Sequence, residues 1–172
     1  DLQEQRKIAS GRATRMHLDG ARLWEALSFY PGKTYGEIAA LFDSVYVSFY
    51  KGIGGLSGAM LLGDEAFIAE ARVWLIRHGG TIYQQYPIVA SAAMRFDARL
   101  ARMPEYFQRA LSFAEAIKSL PGVTVNPTVP QANMMHLRFA VPVQKWEYAR
   151  DHMAASERIW LGAPRNLDDK NV

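Results

Sequence analysis

The sequence predicts an α/β fold, and three observations predict it. Alternating or apolar segments at 14–18, 43–50 and 57–62 read as strands. Stretches with helical spacing separate and follow them, at 21–27, 34–41 and 65–78. His17-Leu18-Asp19-Gly20 runs an extended segment into an acid, a glycine and then a helix. That is the layout at the carboxyl end of a parallel strand, where open α/β sheets bind ligands.

Composition narrows the class. The chain has 172 residues, 49% hydrophobic and 22% charged, an ordinary globular balance. Lys+Arg is 20 against Asp+Glu 17, a net charge of +3, and no run of basic residues concentrates it. Nucleic-acid and membrane-surface partners are therefore not expected. There is no cysteine, which excludes disulfides and thiolate metal sites and fits a cytoplasmic setting. No metal site is expected. No apolar stretch is long enough to span a bilayer. The chain starts without Met, as if inside a helix, and stops in a polar turn. It reads as part of a longer protein with its N-terminal portion missing.

The elements follow in order. Leu2 to Ser10 is helical, and Gly11 can stop it. Tyr30-Pro31-Gly32 is a turn. Thr34 can cap the helix that follows, with Glu37 three residues on. Asp43 to Tyr50 is rich in Val and aromatics, and Ser57 to Leu62 is a second strand. Asp64 caps a helix from Glu65 to His78, with its apolar stripe at Phe67, Ile68, Ala71, Trp74 and Leu75. Ile88 to Arg102 is a long helix whose small-residue run VASAA predicts burial or a subunit contact. Met103-Pro104 breaks it, and another helix runs to Leu120. Then the pattern changes to strands at Val123–Val125 and Asn133–Val141, a helix at Gln144–Glu157 and a strand at Ile159–Leu161. That order suggests a small α+β lobe.

The chemistry centres on Ser48-Phe-Tyr-Lys51-Gly-Ile-Gly-Gly. A lysine in water is a solvated point charge and a poor nucleophile. It becomes a Schiff-base amine when its surroundings lower its pKa. Lys51 ends an apolar strand, and glycines that permit close backbone approach to a ligand follow at once. Ser48 has two readings: a hydroxyl that reaches a phosphate oxygen, or a buried serine bonded to backbone. Asp19 is either a helix cap or a carboxylate for a protonated heterocycle. Ala21 is small enough to lie against a flat ring. Arg22 offers a fork suited to a phenolic oxygen, a phosphate or a carboxylate. His17 reads as a structural hydrogen bonder.

Three ordered blocks, HLDGARLWEA, SFYKGIGGLSGAMLLGD and HGGTIYQQ, resemble the threonine aldolase / β-eliminating lyase family of fold-type I pyridoxal phosphate (PLP) enzymes. The resemblance covers most of residues 1–140. It implies a PLP-dependent transferase-like large domain over 1–103, with a mostly parallel sheet between helices. A small α+β C-terminal domain, incomplete, would occupy 104–172. By resemblance Lys51 is the Schiff-base lysine and Asp19 pairs with the pyridine nitrogen. Ala21 packs on the ring, Arg22 lies near the ring oxygen and substrate carboxylate, and Ser48 contacts the phosphate. The implied reaction is aldol cleavage of β-hydroxy-α-amino acids, of the threonine to glycine plus acetaldehyde type. The implied assembly is a homodimer or homotetramer with the site at the subunit interface. Tyr83 stands where many threonine aldolases carry arginine, and Tyr50 where serine is common, so the substrate is less constrained than the cofactor. β-Elimination or transamination on the same scaffold, or a truncated non-catalytic fragment, are the other readings.

Overall fold

The computed structural model describes residues 1–162, which form two compact units, Asp1–Phe107 and a second beginning at Gln108. The elements are α1 (Leu2–Gly11), β1 (His17–Gly20), α2 (Leu23–Ala26) continued by a 3-10 turn (Leu27–Phe29), α3 (Tyr35–Ala39), β2 (Ser44–Ser48), β3 (Ala59–Gly63), α4 (Glu65–Arg77), α5 (Tyr86–Leu100), α6 (Met103–Ile117), β4 (Val123–Asn126), β5 (His136–Phe139) and α7 (Val143–Ser156). The boundary between the units falls inside α6.

In the first unit, β1, β2 and β3 form a mixed sheet in that order. β1 runs parallel to β2, as the strand–acid–glycine–helix layout implies. β3 runs antiparallel to β2, so the described sheet is not mostly parallel. The reason is the short link of residues 49–58. A parallel return needs a crossover of a dozen or more residues, and a shorter link must turn back.

Side chains alternate across this sheet. Val45 and Val47 point to one face and are buried with Leu23 and Ile38. Leu18, Trp24, Tyr35 and Phe49 pack around that cluster. His17, Asp19 and Tyr46 belong to the other face. Trp24 ties the layers together: its ring meets Tyr35 edge-on at 5.2 Å and Phe96 of α5 at 5.3 Å.

The predicted helix starts are present. Thr34 Oγ1 accepts from Glu37 N–H at 3.2 Å, and Glu37 Oε2 accepts from Thr34 N–H at 2.8 Å, a complete capping box. Asp64 Oδ1 accepts from Phe67 N–H at 2.7 Å and opens α4. Arg6 of α1 pairs with Asp43 at 2.6 Å, and the same Asp43 oxygen accepts from Met16 N–H at 2.7 Å. Those bonds fasten α1 and the entry to β1 onto the start of β2.

Of the two readings of the small-residue run in α5, burial within the chain is not met: α5 has no buried residue, and the run lets Ala92 approach Gly55. β3 and α4 also bury none of their residues, so the apolar stripe of α4 stays half-open at Trp74 and Leu75. An apolar groove of about 1090 Å³ opens beside Val45, Val47, Met60 and Leu62. It lies on the face opposite Tyr46.

The second unit pairs β4 and β5 antiparallel, with Val125 buried. Ala110 and Ala114 of α6 are buried, and Trp146 of α7 packs on Phe139 at 4.4 Å. The third strand expected at Ile159–Leu161 is absent. Arg158 takes a φ of 55°, and Ile159 N–H turns back to the Met153 carbonyl at 3.3 Å. The segment finishes α7 instead of adding to a sheet. Among the described residues no helix is long and apolar enough to cross a membrane.

Candidate active site

The site is built where β1 and β2 end side by side. Asp19 is the third residue of β1 and lies opposite Tyr46 of β2 in the parallel register. Its carboxylate is exposed, and Oδ1 accepts from Ala21 N–H at 3.1 Å. That short turn holds the acid at the sheet edge. Tyr46 and Tyr50 bring their hydroxyls within 3.4 Å of each other. The Lys51 ammonium lies 5.7 Å from the centre of the Tyr50 ring, a cation–π contact. Asp19, Tyr46, Tyr50 and Lys51 thus form a continuous series of neighbours.

The electrostatics follow the same series. The Tyr46 phenol is pushed up to about 12. Its hydrogen bond with Tyr50 is the largest cause, then burial, then the charges of Tyr50 and Asp19. A proton therefore stays on Tyr46 oxygen throughout the physiological range.

The loop after β2 is held from inside. Ile53 is fully buried. Gly54 N–H donates to the Lys51 carbonyl at 2.9 Å, and Gly55 N–H to the Phe49 carbonyl at 2.7 Å. Gly54 has a φ of 76°, a conformation that favours glycine. The glycine at 52 has a different cause from the one expected. A Cβ there would collide with the Glu25 carboxylate, so the space belongs to another part of the fold and not to an approaching ligand.

Three hydrogen bonds join the turn that follows Asp19 to the segment around Lys51. Ser48 Oγ donates to the Ala21 carbonyl at 2.6 Å. Trp24 Nε1 donates to the Ser48 carbonyl at 2.7 Å. Gly52 N–H donates to Glu25 Oε1 at 2.9 Å. Residues 21–25 and 48–52 are stitched together along their length.

The candidates from sequence take distinct places. Asp19 and Ala21 are in direct contact. Arg22 is exposed at the start of α2. Lys51 is partly buried beside Tyr50. Ser48 is fully buried and commits its proton to backbone, the second of its two readings. His17 Nδ1 lies 2.8 Å from Ser44 Oγ. Sequence reasoning missed Trp24, Glu25 and Tyr46. Glu25 had one signal: an acid flanked by Leu23-Trp24 and Ala26-Leu27 in a stretch with helical spacing. Among the described residues no cluster of His, Asp and Glu could hold a metal ion.

The donor set fits PLP. An amine and a carboxylate stand at the ends of neighbouring parallel strands, with the small Ala21 bonded to the carboxylate. A carboxylate suits a ring N–H, and the amine suits an aldehyde.

The comparisons with known proteins agree in direction. The family model described as beta-eliminating lyase matches residues 1–140. The low-specificity L-threonine aldolase 1 of Arabidopsis thaliana is 28% identical over 131 residues, covering 76% of this chain and 36% of that protein. The low-specificity L-threonine aldolase of Candida albicans is 37% identical over 105 residues, 59% of this chain and 28% of that protein. A solved structure assigned as an L-allo-threonine aldolase from Listeria monocytogenes superposes with a TM-score of 0.90 at 38% identity. It covers 99% of this chain and 47% of that one. The chain thus spans less than half the length of each of these relatives.

Proposed function

This chain belongs to the beta-eliminating lyase family, and from that premise we propose that the protein is a PLP-dependent lyase that cleaves the Cα–Cβ bond of β-hydroxy-α-amino acids. Threonine going to glycine and acetaldehyde is the type reaction. The observation that carries the reading is the series Asp19–Tyr46–Tyr50–Lys51 at the ends of two parallel strands.

Each residue has a task. Lys51 Nζ is the amine that attaches the cofactor. Asp19, steadied by Ala21 N–H, would hold a proton on the pyridine nitrogen of bound PLP, and Ala21 would lie against the ring. Arg22 presents paired N–H donors to a carboxylate. Tyr46 keeps its hydroxyl proton beside Asp19. PLP, when bound, supplies the electron sink that bond cleavage needs. We propose further that copies of the chain associate as a homodimer or homotetramer. The exposed Trp74, Leu75 and Ile76 of α4 support this, because large apolar side chains left open to solvent are candidates for burial by a partner.

The test is reconstitution of the protein with PLP. The expected result is a visible absorption band, lost in Lys51→Ala, together with aldehyde release from β-hydroxy-α-amino acids. No band in the wild type would refute the reading. A band with pyruvate and ammonia as products would move the reaction to β-elimination.

A further inference from the structure

We propose that Glu25 is a positioning residue for Lys51, acting through the Gly52 amide. The inference rests on the reading of Lys51 as the PLP-bearing amine. Glu25 is 2% exposed. Its Oε1 takes the Gly52 N–H at 2.9 Å, while its Oε2 is buried with no hydrogen-bond partner among the described residues. A carboxyl group buried with one oxygen unsatisfied costs the fold free energy. An apolar side chain of that size would remove that cost but leave the Gly52 N–H without its acceptor, so burial alone does not account for an acid there.

Its geometry does. The Lys51–Gly52 peptide has two ties. The Lys51 carbonyl accepts from Gly54 N–H, a bond inside the loop itself. The Gly52 N–H reaches Glu25, 27 residues away on α2. Of the two, the second holds the peptide next to the lysine against the stretch that carries Asp19 and Ala21, beyond the bonds Ser48 makes to that same stretch. The two residues are also matched in shape, because any side chain at 52 would displace the Glu25 carboxylate. Glu25 touches none of the reacting atoms. It sets the place from which the Lys51 side chain starts, and a productive site tolerates little error in that place.

The experiment compares wild type, Glu25→Gln, Glu25→Asp and Glu25→Ala in the full protein. Hydrogen exchange at the Gly52 amide is measured without PLP. The rate of covalent PLP attachment at Lys51 is measured by borohydride trapping and mass spectrometry. Glu25→Gln keeps an acceptor at the same reach and should match wild type in both. Glu25→Asp withdraws the oxygen and Glu25→Ala removes it. Each should expose the Gly52 amide and slow attachment about tenfold, the scale of one lost hydrogen bond. If Glu25→Ala does not fold, Glu25→Asp carries the same contrast. Equal Gly52 protection in all variants overturns the proposal, as does wild-type attachment by a Glu25→Asp protein whose Gly52 amide has been freed. A wild type that never traps PLP overturns the assignment of Lys51 itself, which is a different result.

Discussion

Asp19 and Tyr46 are direct partners across the parallel β1–β2 ladder, and Tyr46 reaches on to the Tyr50 hydroxyl at 3.4 Å. The phenol of Tyr46 is raised to about 12, first by that hydrogen bond and last by the Asp19 charge. Tyr50→Phe should therefore lower the Tyr46 ionisation toward the ordinary phenol range, and Asp19→Asn should lower it less. Absorbance titration of tyrosinate reads both. The sign for stability follows from linkage. A raised group contributes fully below its unfolded pKa and loses that contribution as pH climbs through its folded value. Base unfolding should therefore be shallower in Tyr46→Phe than in wild type between the ordinary phenol range and about 12. An unchanged Tyr46 titration in Tyr50→Phe would show that the two hydroxyls are not coupled.

Asp43 is the opposite case. Its carboxyl is lowered to about 2, first by the Arg6 hydrogen bond and then by the Met16 N–H. A depressed carboxylate stabilises the fold above the ordinary carboxylate range and loses that effect as pH falls through its folded value. Asp43→Asn should flatten the acid limb of a denaturation profile between the ordinary carboxylate range and about pH 2. The neutral side of the profile should fall as a whole. A profile with the same acid slope in both proteins would mean that Arg6 and Asp43 contribute nothing to stability in solution.

Ser48 separates structure from cofactor binding. Its buried hydroxyl spends its proton on the Ala21 carbonyl at 2.6 Å. Ser48→Ala leaves that carbonyl without its donor and should cost about 1–2 kcal/mol in urea unfolding. Thr34→Ala removes the capping box of α3 far from the site and should cost about 1 kcal/mol. Neither should weaken PLP binding beyond what stability explains. A Ser48→Ala protein of normal stability with poor PLP affinity would return the hydroxyl to the phosphate.

Local chemistry was legible in the sequence wherever one segment carries the whole cause. Thr34 with Glu37 and Asp64 before Phe67 are caps that need no distant partner. The acid and glycine that close β1 announced a parallel strand end, and the parallel pairing follows. What was not legible depends on residues far apart in the chain. Glycine at 52 reads as room for a ligand until Glu25, 27 residues earlier, is seen to fill that room. Ser48 cannot reveal from its own neighbours that Ala21 takes its proton. The strand expected at Ile159–Leu161 has suitable side chains, but a strand needs a partner ladder, and Ile159 N–H bonds back to the end of α7 instead. In the sequence Tyr46 is one residue of an alternating strand. Only the register against Asp19 makes it part of the site.

Asp19→Asn isolates charge from shape. Asparagine keeps an oxygen that can accept from Ala21 N–H, so the turn held at 3.1 Å should survive. Folding stability should change little, because the side chain is exposed. On the proposed function, what is lost is the negative partner for a proton on the pyridine nitrogen. With that partner gone the ring is a weaker electron sink, and the loss appears mainly in the bond-breaking step. We expect kcat to fall by roughly 100-fold or more, the scale of removing one preorganised electrostatic group, while PLP still attaches to Lys51. Borohydride trapping checks attachment, and steady-state aldehyde release checks kcat. An Asp19→Asn protein that turns over at the wild-type rate would remove Asp19 from the site, and a protein that fails to fold would show that its charge is needed by the turn instead.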